Sequence, residues 1–358
     1  MTLPPLTELK PEQFDTIPIL RKLNSATRKL AELKGMAAAI PQQEILVNTL
    51  GLQEAKDSSA IENIVTTHDD LYRGDSLVDE SMRPGVKEVL RYRQALKVGF
   101  DLVGERGLLT TNHILRIQSE LEGNSAGFRK LPGTVLKDGM GRTVYTPPQD
   151  HATIVSLMGD LESFLNDPER FPADPLVKMA LAHYQFESIH PFYDGNGRTG
   201  RIMNVLYLVR EGLLETPLLY LSRHIIRTKS DYYRLLQAVR ERGAWEEWVL
   251  YMLDAVEQTA KGAVTTVLAI RSAFADYRAR IEAEHPNVYT QDLINILFFH
   301  PYTKIEFLER DLKISRPTAA KYLDILTAAG FVQKQKVGRT NYYTNVALYA
   351  ILTSEEML

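Results

Sequence analysis

Residues 176–189 read LVKMALAHYQFESI and run without interruption into residues 190–201, HPFYDGNGRTGR. The first half carries apolar side chains at helical intervals and predicts a buried helix. Pro191 disfavours helical backbone at the residue before it, so the chain is expected to leave the helix at His190 and set the imidazole at the mouth of a loop, with Phe192 anchoring that loop inward. Gly195, Asn196 and Gly197 are residue types that tolerate left-handed or strained backbone, which lets consecutive N–H groups turn inward as an anion-binding nest. A second helix is expected to resume at about Arg198, because Ile202, Val205, Leu206 and Val209 keep the helical period until Gly212. An anion in the loop then meets a helix N-terminus with its partial positive charge. Arg198 and Arg201 share one helical face, from which guanidinium forks can hold phosphate oxygens, and Asp194 can hold Mg²⁺ against them. A histidine before proline is often only a helix terminator, and Gly-Asn-Gly is often only a turn. All eight specified positions together coincide by accident in a chain this long with a probability on the order of 10⁻⁸.

The stretch resembles the signature of the Fic domain family, His-x-Phe-x-Asp/Glu-Gly-Asn-Gly-Arg-x-x-Arg, and meets it at every specified position. The resemblance implies an all-helical domain that transfers a nucleoside monophosphate, usually AMP from ATP, to a protein hydroxyl with release of pyrophosphate. Related Doc toxins phosphorylate instead and carry a lysine where this chain has Gly197, so the glycine argues for AMP transfer. A Tyr, Ser or Thr hydroxyl is a weak nucleophile at neutral pH, and His190 is the general base expected to accept its proton. Mg²⁺ on Asp194, the amides of Gly195 to Gly197, Asn196 and both arginines are expected to align the phosphates and stabilise charge. By the resemblance, Arg201 grips the γ-phosphate.

Beside that signature a second motif gains meaning. Residues 58–63, SSAIEN, lie in a stretch of helical spacing and are similar to the Fic inhibitory motif Ser/Thr-x-x-x-Glu-Gly/Asn, met by Ser58, Glu62 and Asn63. The resemblance implies a salt bridge from Glu62 to Arg201 and an autoinhibited resting state. Residues 131–148, LPGTVLKDGMGRTVYTPP, predict a hairpin turning around Asp138 and Gly139, with strands over Thr134, Val135, Leu136 and over residues 143–145. Its position resembles the Fic flap, which docks the target segment by backbone pairing. Residues 222–251 read as two further helices, with Trp245 and Trp248 as core. By the resemblance Tyr233 is a candidate adenine contact, with ordinary packing as the alternative. Some family members carry Asn where this chain has Arg240. His183 reads as a core or surface residue, not a metal ligand, and Asn204 as a minor addition to the site.

After residues 285–287 the pattern changes. Helices are expected over 289–298, 304–312 and 318–329, followed by two β-prone runs around Val337, Gly338 and Arg339, an order resembling a winged helix-turn-helix. Between residues 313 and 345 six Lys/Arg stand against a single acid, Asp324. Arg316 and Lys321 are the candidates for a DNA contact, although winged helices also dock proteins.

At 358 residues and a net charge of −3, the chain is expected to hold two or three domains: an N-terminal helical region (1–105), a Fic core (106–262) and a helical linker with the winged helix (263–358). The fold class is mainly α, with a small β-hairpin flap. Zero cysteines exclude disulfides and thiolate chemistry. The N-terminal MTLPPLTELKPEQFD has neither a basic start nor an apolar core, and no run approaches a membrane span, so a cytoplasmic protein without membrane contact is expected. The leading reading is Mg²⁺-dependent AMP transfer from ATP to a protein hydroxyl, with self-modification as a side activity. Two alternatives are hydrolytic AMP removal using Glu62, and a DNA-binding regulator with a nucleotide-sensing core. The resemblance also allows a homodimer.

Overall fold

The computed structural model describes residues 3–38, 43–75, 83–337 and 340–354. Two short 3₁₀ turns lead into helices α1 (Ile17–Ala38), α2 (Gln43–Ile61), α3 (His68–Asp75), α4 (Pro84–Arg106) and α5 (Thr111–Glu122). A hairpin follows, β1 (Leu136–Lys137) and β2 (Thr143–Tyr145). Next come α6 (His151–Asn166), α7 (Pro175–Ile189), α8 (Asn196–Arg210), α9 (Ser222–Arg227), α10 (Lys229–Arg242) and α11 (Trp245–Glu284). The chain ends in α12 (Gln291–Phe299), β3 (Tyr302–Thr303), α13 (Ile305–Leu312), α14 (Arg316–Ala328), β4 (Val332–Val337), β5 (Thr340–Asn345) and α15 (Val346–Thr353). Among the described residues no helix is long and apolar enough to cross a membrane.

The chain divides into two compact units. One comprises residues 1–34, 54–65 and 91–261, the other 35–53, 66–90 and 262–358. The C-terminal boundary falls between residues 261 and 262, while the first 105 residues are shared between the units.

In the first unit α7 is the central rod. Asp174 caps it by accepting from the Leu176 N–H at 2.8 Å, Pro175 occupies its first turn, and every residue from Leu176 to Ile189 is buried. Polar Lys178, His183, Gln185 and Glu187 are buried along with the apolar side chains, so α7 is covered on all sides, and α6 and α8 pack directly against it. Trp248 is fully buried and its indole N–H donates to the Ala180 carbonyl at 2.8 Å. Trp245, expected in the core, is only half-buried, with its ring 4.7 Å from that of Tyr184. The two helices expected over 222–251 are three, because the helical run breaks at Thr228 and again at Gly243, where φ is +65°.

In the second unit α12 to α14 accompany an antiparallel three-stranded sheet of order β3-β5-β4, whose first strand lies between α12 and α13, with Val332 opposite Asn345 and Val337 opposite Thr340. Gly338 and Arg339, at the expected hairpin tip, lie outside the described residues. Arg316 is paired with Glu306 and Glu309 at 2.8 and 3.1 Å, and Lys334 with Asp324 at 2.9 Å. The basic count over residues 313–345 thus overstated the local charge, since it left out the two acids of α13 that face Arg316.

Candidate active site

The loop between α7 and α8 is built around Asn196, whose Oδ1 accepts from the Phe192 N–H and whose Nδ2 donates to the Phe192 carbonyl, both at 2.9 Å. This pairing closes the turn and buries the Phe192 ring against Phe186 and Phe128. It also commits the Asn196 side chain to the loop, so what this residue can offer an anion is its backbone N–H. The helix begins at Asn196, two residues earlier than expected, because Gly195 adopts φ +78° and serves as its N-cap. A side chain at Gly195 would be strained by that φ and would displace the Glu122 carboxylate, since its Cβ would sit 2.3 Å from Glu122 Oε1.

His190 ends α7 with φ 49° and ψ 59°. Pro191 accounts for the departure from the helix but favours an extended residue before it. The left-handed conformation found instead is accompanied by a hydrogen bond from Arg129 Nε to the His190 carbonyl at 2.8 Å. Burial pulls the imidazole down to about 4, and Arg129 and Arg240 act in the same direction while Glu62 opposes them. The ring is therefore neutral at pH 7, the form a proton acceptor needs.

In the first two turns of α8 both arginines meet carboxylates. Arg198 donates to Glu122 Oε1 at 2.9 Å. Arg201, 4 % exposed, donates through Nε to Ser58 Oγ at 2.8 Å and through one Nη to the Ser58 carbonyl and to Glu62 Oε1, both at 2.9 Å. Burial alone would push the Glu62 carboxyl up; Arg201, with Arg198 and Lys229 beyond it, outweighs that and holds it below its ordinary value. A Cβ built on Gly197 would lie 2.4 Å from Glu62 Oε1, so this carboxylate occupies the space over the first turn of α8 that an anion would use. Asn63, at φ 65°, closes α2 in the left-handed conformation that asparagine tolerates, and Lys229 donates to the Ile61 carbonyl at 2.6 Å. One turn before Ser58, the buried Glu54 accepts from the Tyr92 hydroxyl at 3.0 Å and is bonded to Ser222 Oγ.

Asp194 projects into solvent, 81 % exposed, with Oδ1 on the Gly195 N–H at 2.7 Å and 3.8 Å from Arg198. Among the described residues no group of three His, Cys, Asp or Glu could cage a metal. A lone open carboxylate fits a Mg²⁺ that shares its ligands with a nucleotide's phosphates.

His183 is a core residue. Asn204 Nδ2 lies 3.1 Å from its Nδ1 and the Tyr232 hydroxyl 2.8 Å from its Nε2, and burial pulls the ring down to about 3, so Nδ1 accepts and Nε2 carries the hydrogen. Asn204 thus supports the packing behind Arg201. Tyr233 is 47 % exposed and meets Tyr232 edge-on at 5.1 Å.

The hairpin is present but shifted. The ladder pairs Leu136 with Tyr145 and Lys137 with Thr143, while Thr134 and Val135 precede the strand. Asp138 Oδ1 accepts from the N–H groups of Met140 and Arg142, both at 2.9 Å, so the reversal widens to span residues 138–142 and moves the pairing along the chain. The sequence reading did not single out Glu122 or Glu54 at all. Only their distant partners give them meaning, and nothing in their local pattern marks them.

Three family models match consecutive parts of the chain: "Fic/DOC family N-terminal" over residues 20–101, "Fic/DOC family" over 108–208, and "Protein adenylyltransferase SoFic-like, C-terminal domain" over 274–348. The chain is 32 % identical over 173 residues to the protein adenylyltransferase Fic of Aedes aegypti, a match covering 48 % of this chain and 33 % of that protein. It is 33 % identical over 99 residues to protein adenylyltransferase fic-1 of Caenorhabditis elegans, covering 28 % and 18 %. The match thus spans a third or less of these curated relatives. In fold it is similar to a Fic family protein from Desulfovibrio desulfuricans, with TM-score 0.59, 20 % identity and coverage of 92 % and 96 %. C. elegans Fic-1 gives 0.53, 22 %, and coverage of 70 % and 73 %.

Proposed function

This chain belongs to the Fic/DOC family, and on that premise we propose that it is a protein adenylyltransferase, moving AMP from ATP to a Tyr, Ser or Thr hydroxyl of a target protein and of itself, and that it rests in an autoinhibited state. The observation that carries both halves of the reading is a neutral His190 beside a helix N-terminus whose anion space is filled by Glu62. Once Glu62 leaves Arg201, the first two turns of α8 offer backbone N–H groups and two guanidinium groups to a triphosphate. Asp194 would hold the accompanying Mg²⁺, whose charge lowers the cost of a developing pyrophosphate. His190 then accepts the proton of the attacking hydroxyl. The hydroxyl oxygen bonds to the α-phosphorus as the bond from that phosphorus to the bridging oxygen breaks, and pyrophosphate leaves. The open hairpin over residues 131–147 suits docking of a target segment by backbone pairing. The order of α12 to α14 and the β4–β5 hairpin supports a winged-helix reading of the C-terminal unit.

The test is transfer of label from α-³²P ATP with Mg²⁺ to protein. Label is expected to rise at least about tenfold in Glu62→Gly over wild type, a difference of roughly 1.4 kcal/mol or more in barrier, and to vanish in Glu62→Gly/His190→Ala. Equal label in wild type and Glu62→Gly would remove the autoinhibition reading. Absence of label in all three would remove adenylyl transfer.

A further inference from the structure

Residues 128–131, at the first root of the hairpin, are laced to residues 190–193. The rings of Phe128 and Phe192 are 5.2 Å apart, the Arg129 N–H donates to the Pro191 carbonyl at 2.9 Å, and the N–H groups of Lys130 and Leu131 donate to the Tyr193 hydroxyl at 2.9 and 3.2 Å. At the second root the Tyr145 hydroxyl donates to the Ser188 carbonyl at 3.0 Å, beneath the Arg240 guanidinium, which lies 3.9 Å from the Tyr145 ring. One side chain joins the two roots. Arg129, fully buried, donates through Nε to the His190 carbonyl and through an Nη to the carbonyls of Ile189 at 3.3 Å and of Pro148.

Two features make this more than packing. The last carbonyls of α7 have no partner within their own helix, and the hairpin roots satisfy those of Ser188, Ile189 and His190. Among the described residues Arg129 meets no carboxylate, and its second Nη is buried with no hydrogen-bond partner. A buried guanidinium without a counter-charge is costly, and it sits against a histidine held in left-handed backbone, a conformation that persists only where its surroundings over-determine it.

We propose that Arg129 is a positioning residue for the transfer: it fixes the His190 backbone and both roots of the target-docking hairpin in one frame, so that the base and the docked hydroxyl keep a constant separation. The inference rests on the adenylyl-transfer reading above. A docked hydroxyl displaced by about 1 Å from its base can lose about a hundredfold in rate without any change in nucleotide binding.

The experiment compares Arg129→Met and Arg129→Lys in the Glu62→Gly background, reading the limiting rate of self-labelling by α-³²P ATP, the half-saturating ATP concentration, the pH profile and the melting temperature. Arg129→Met is expected to lower the limiting rate at least about tenfold while half-saturating ATP stays within about twofold, the split expected for a group that acts on the transition state. Arg129→Lys, keeping the charge but not the fork, is expected to recover part of that rate. The charged groups facing the His190 ring are Arg129, Arg240 and Glu62. With Glu62 absent from the parent, loss of the Arg129 charge is expected to move the acid limb of the profile to higher pH in the Met variant and leave it in place in the Lys variant, a shift that lost packing alone would not produce. A folded Arg129→Met protein with the parent's limiting rate and profile would overturn the proposal, as would a raised ATP requirement at an unchanged limiting rate. Should the Met variant fail to fold, the Lys variant decides: a limiting rate below the parent's supports the proposal and the parent's rate overturns it. A Glu62→Gly parent that takes no label overturns the adenylyl-transfer reading and this inference with it.

Discussion

Asn196 commits both ends of its amide to one residue, the Phe192 N–H and carbonyl, and so holds the loop that carries His190, Asp194 and Gly195. Asn196→Ala leaves both backbone groups buried and unpaired, at a cost of about 2 kcal/mol or more. Urea denaturation is expected to show that loss together with loss of self-labelling in the Glu62→Gly background; a variant that labels normally would return Asn196 to a marginal role. At this scale the residues of 190–201 were legible because each belongs to a type with few other uses in a short loop. The backbone N–H of Asn196 remains available to an anion, as the nest reading of residues 195–197 expected; what the sequence did not reveal is that its side chain serves the loop backbone. Arg129 and Glu122 were not legible as parts of the site. An arginine after Gly-Phe and a glutamate at a helix end carry no local signal, and the Arg198–Glu122 pair spans residues 76 apart.

Helices α7 and α8 could be read from periodicity, since a buried rod and its neighbour must be apolar at helical spacing. The start of α8 and the pairing of β1 with β2 were less legible, because Gly195 and the Asp138 carboxylate each act through a backbone conformation or hydrogen bond that displaces a boundary by a residue or two. The C-terminal elements show a related limit. A charge count along residues 313–345 stops at Lys313, yet α13 and α14 pack together and bring Glu306 and Glu309 onto Arg316. Of the two cations first suspected of meeting DNA, Arg316 is held by these acids, and Lys334 on β4 faces Asp324. Since non-specific affinity follows the number of phosphates neutralised, a fluorescent mixed-sequence duplex titrated at 150 mM salt is expected to show no saturation below about 10 μM protein. Saturation below about 1 μM, weakening steeply with added salt, would show that these pairs open to bind phosphate.

Stability belongs to the molecule as a whole, and its pH dependence follows from buried groups whose shifts have opposite signs. His183 is held at about 3 and His190 at about 4, against an ordinary 6.5, by burial first of all. The unfolded chain takes up these protons more readily, so the histidines cost stability as pH falls below 6.5. Burial pushes Glu54 up to about 8 and Glu187 up to about 7, against an ordinary 4.5. Here the folded chain keeps the proton longer, so their contribution is complete below 4.5 and is lost as pH rises through 7 and 8. From 4.5 to 6.5 the two sets oppose one another; from 6.5 to 8 only the glutamates act, and the melting temperature is expected to fall. Glu54→Gln retains an amide that can meet Tyr92 and Ser222 but cannot ionise, so it should flatten that fall, and Glu187→Gln should flatten its lower half. Calorimetric scans from pH 5 to 8.5 test this. A wild-type melting temperature that holds or rises between 6.5 and 8 would mean that Glu54 is already ionised in its buried site, and that the contact of α2 with Tyr92 and Ser222 is made by a carboxylate.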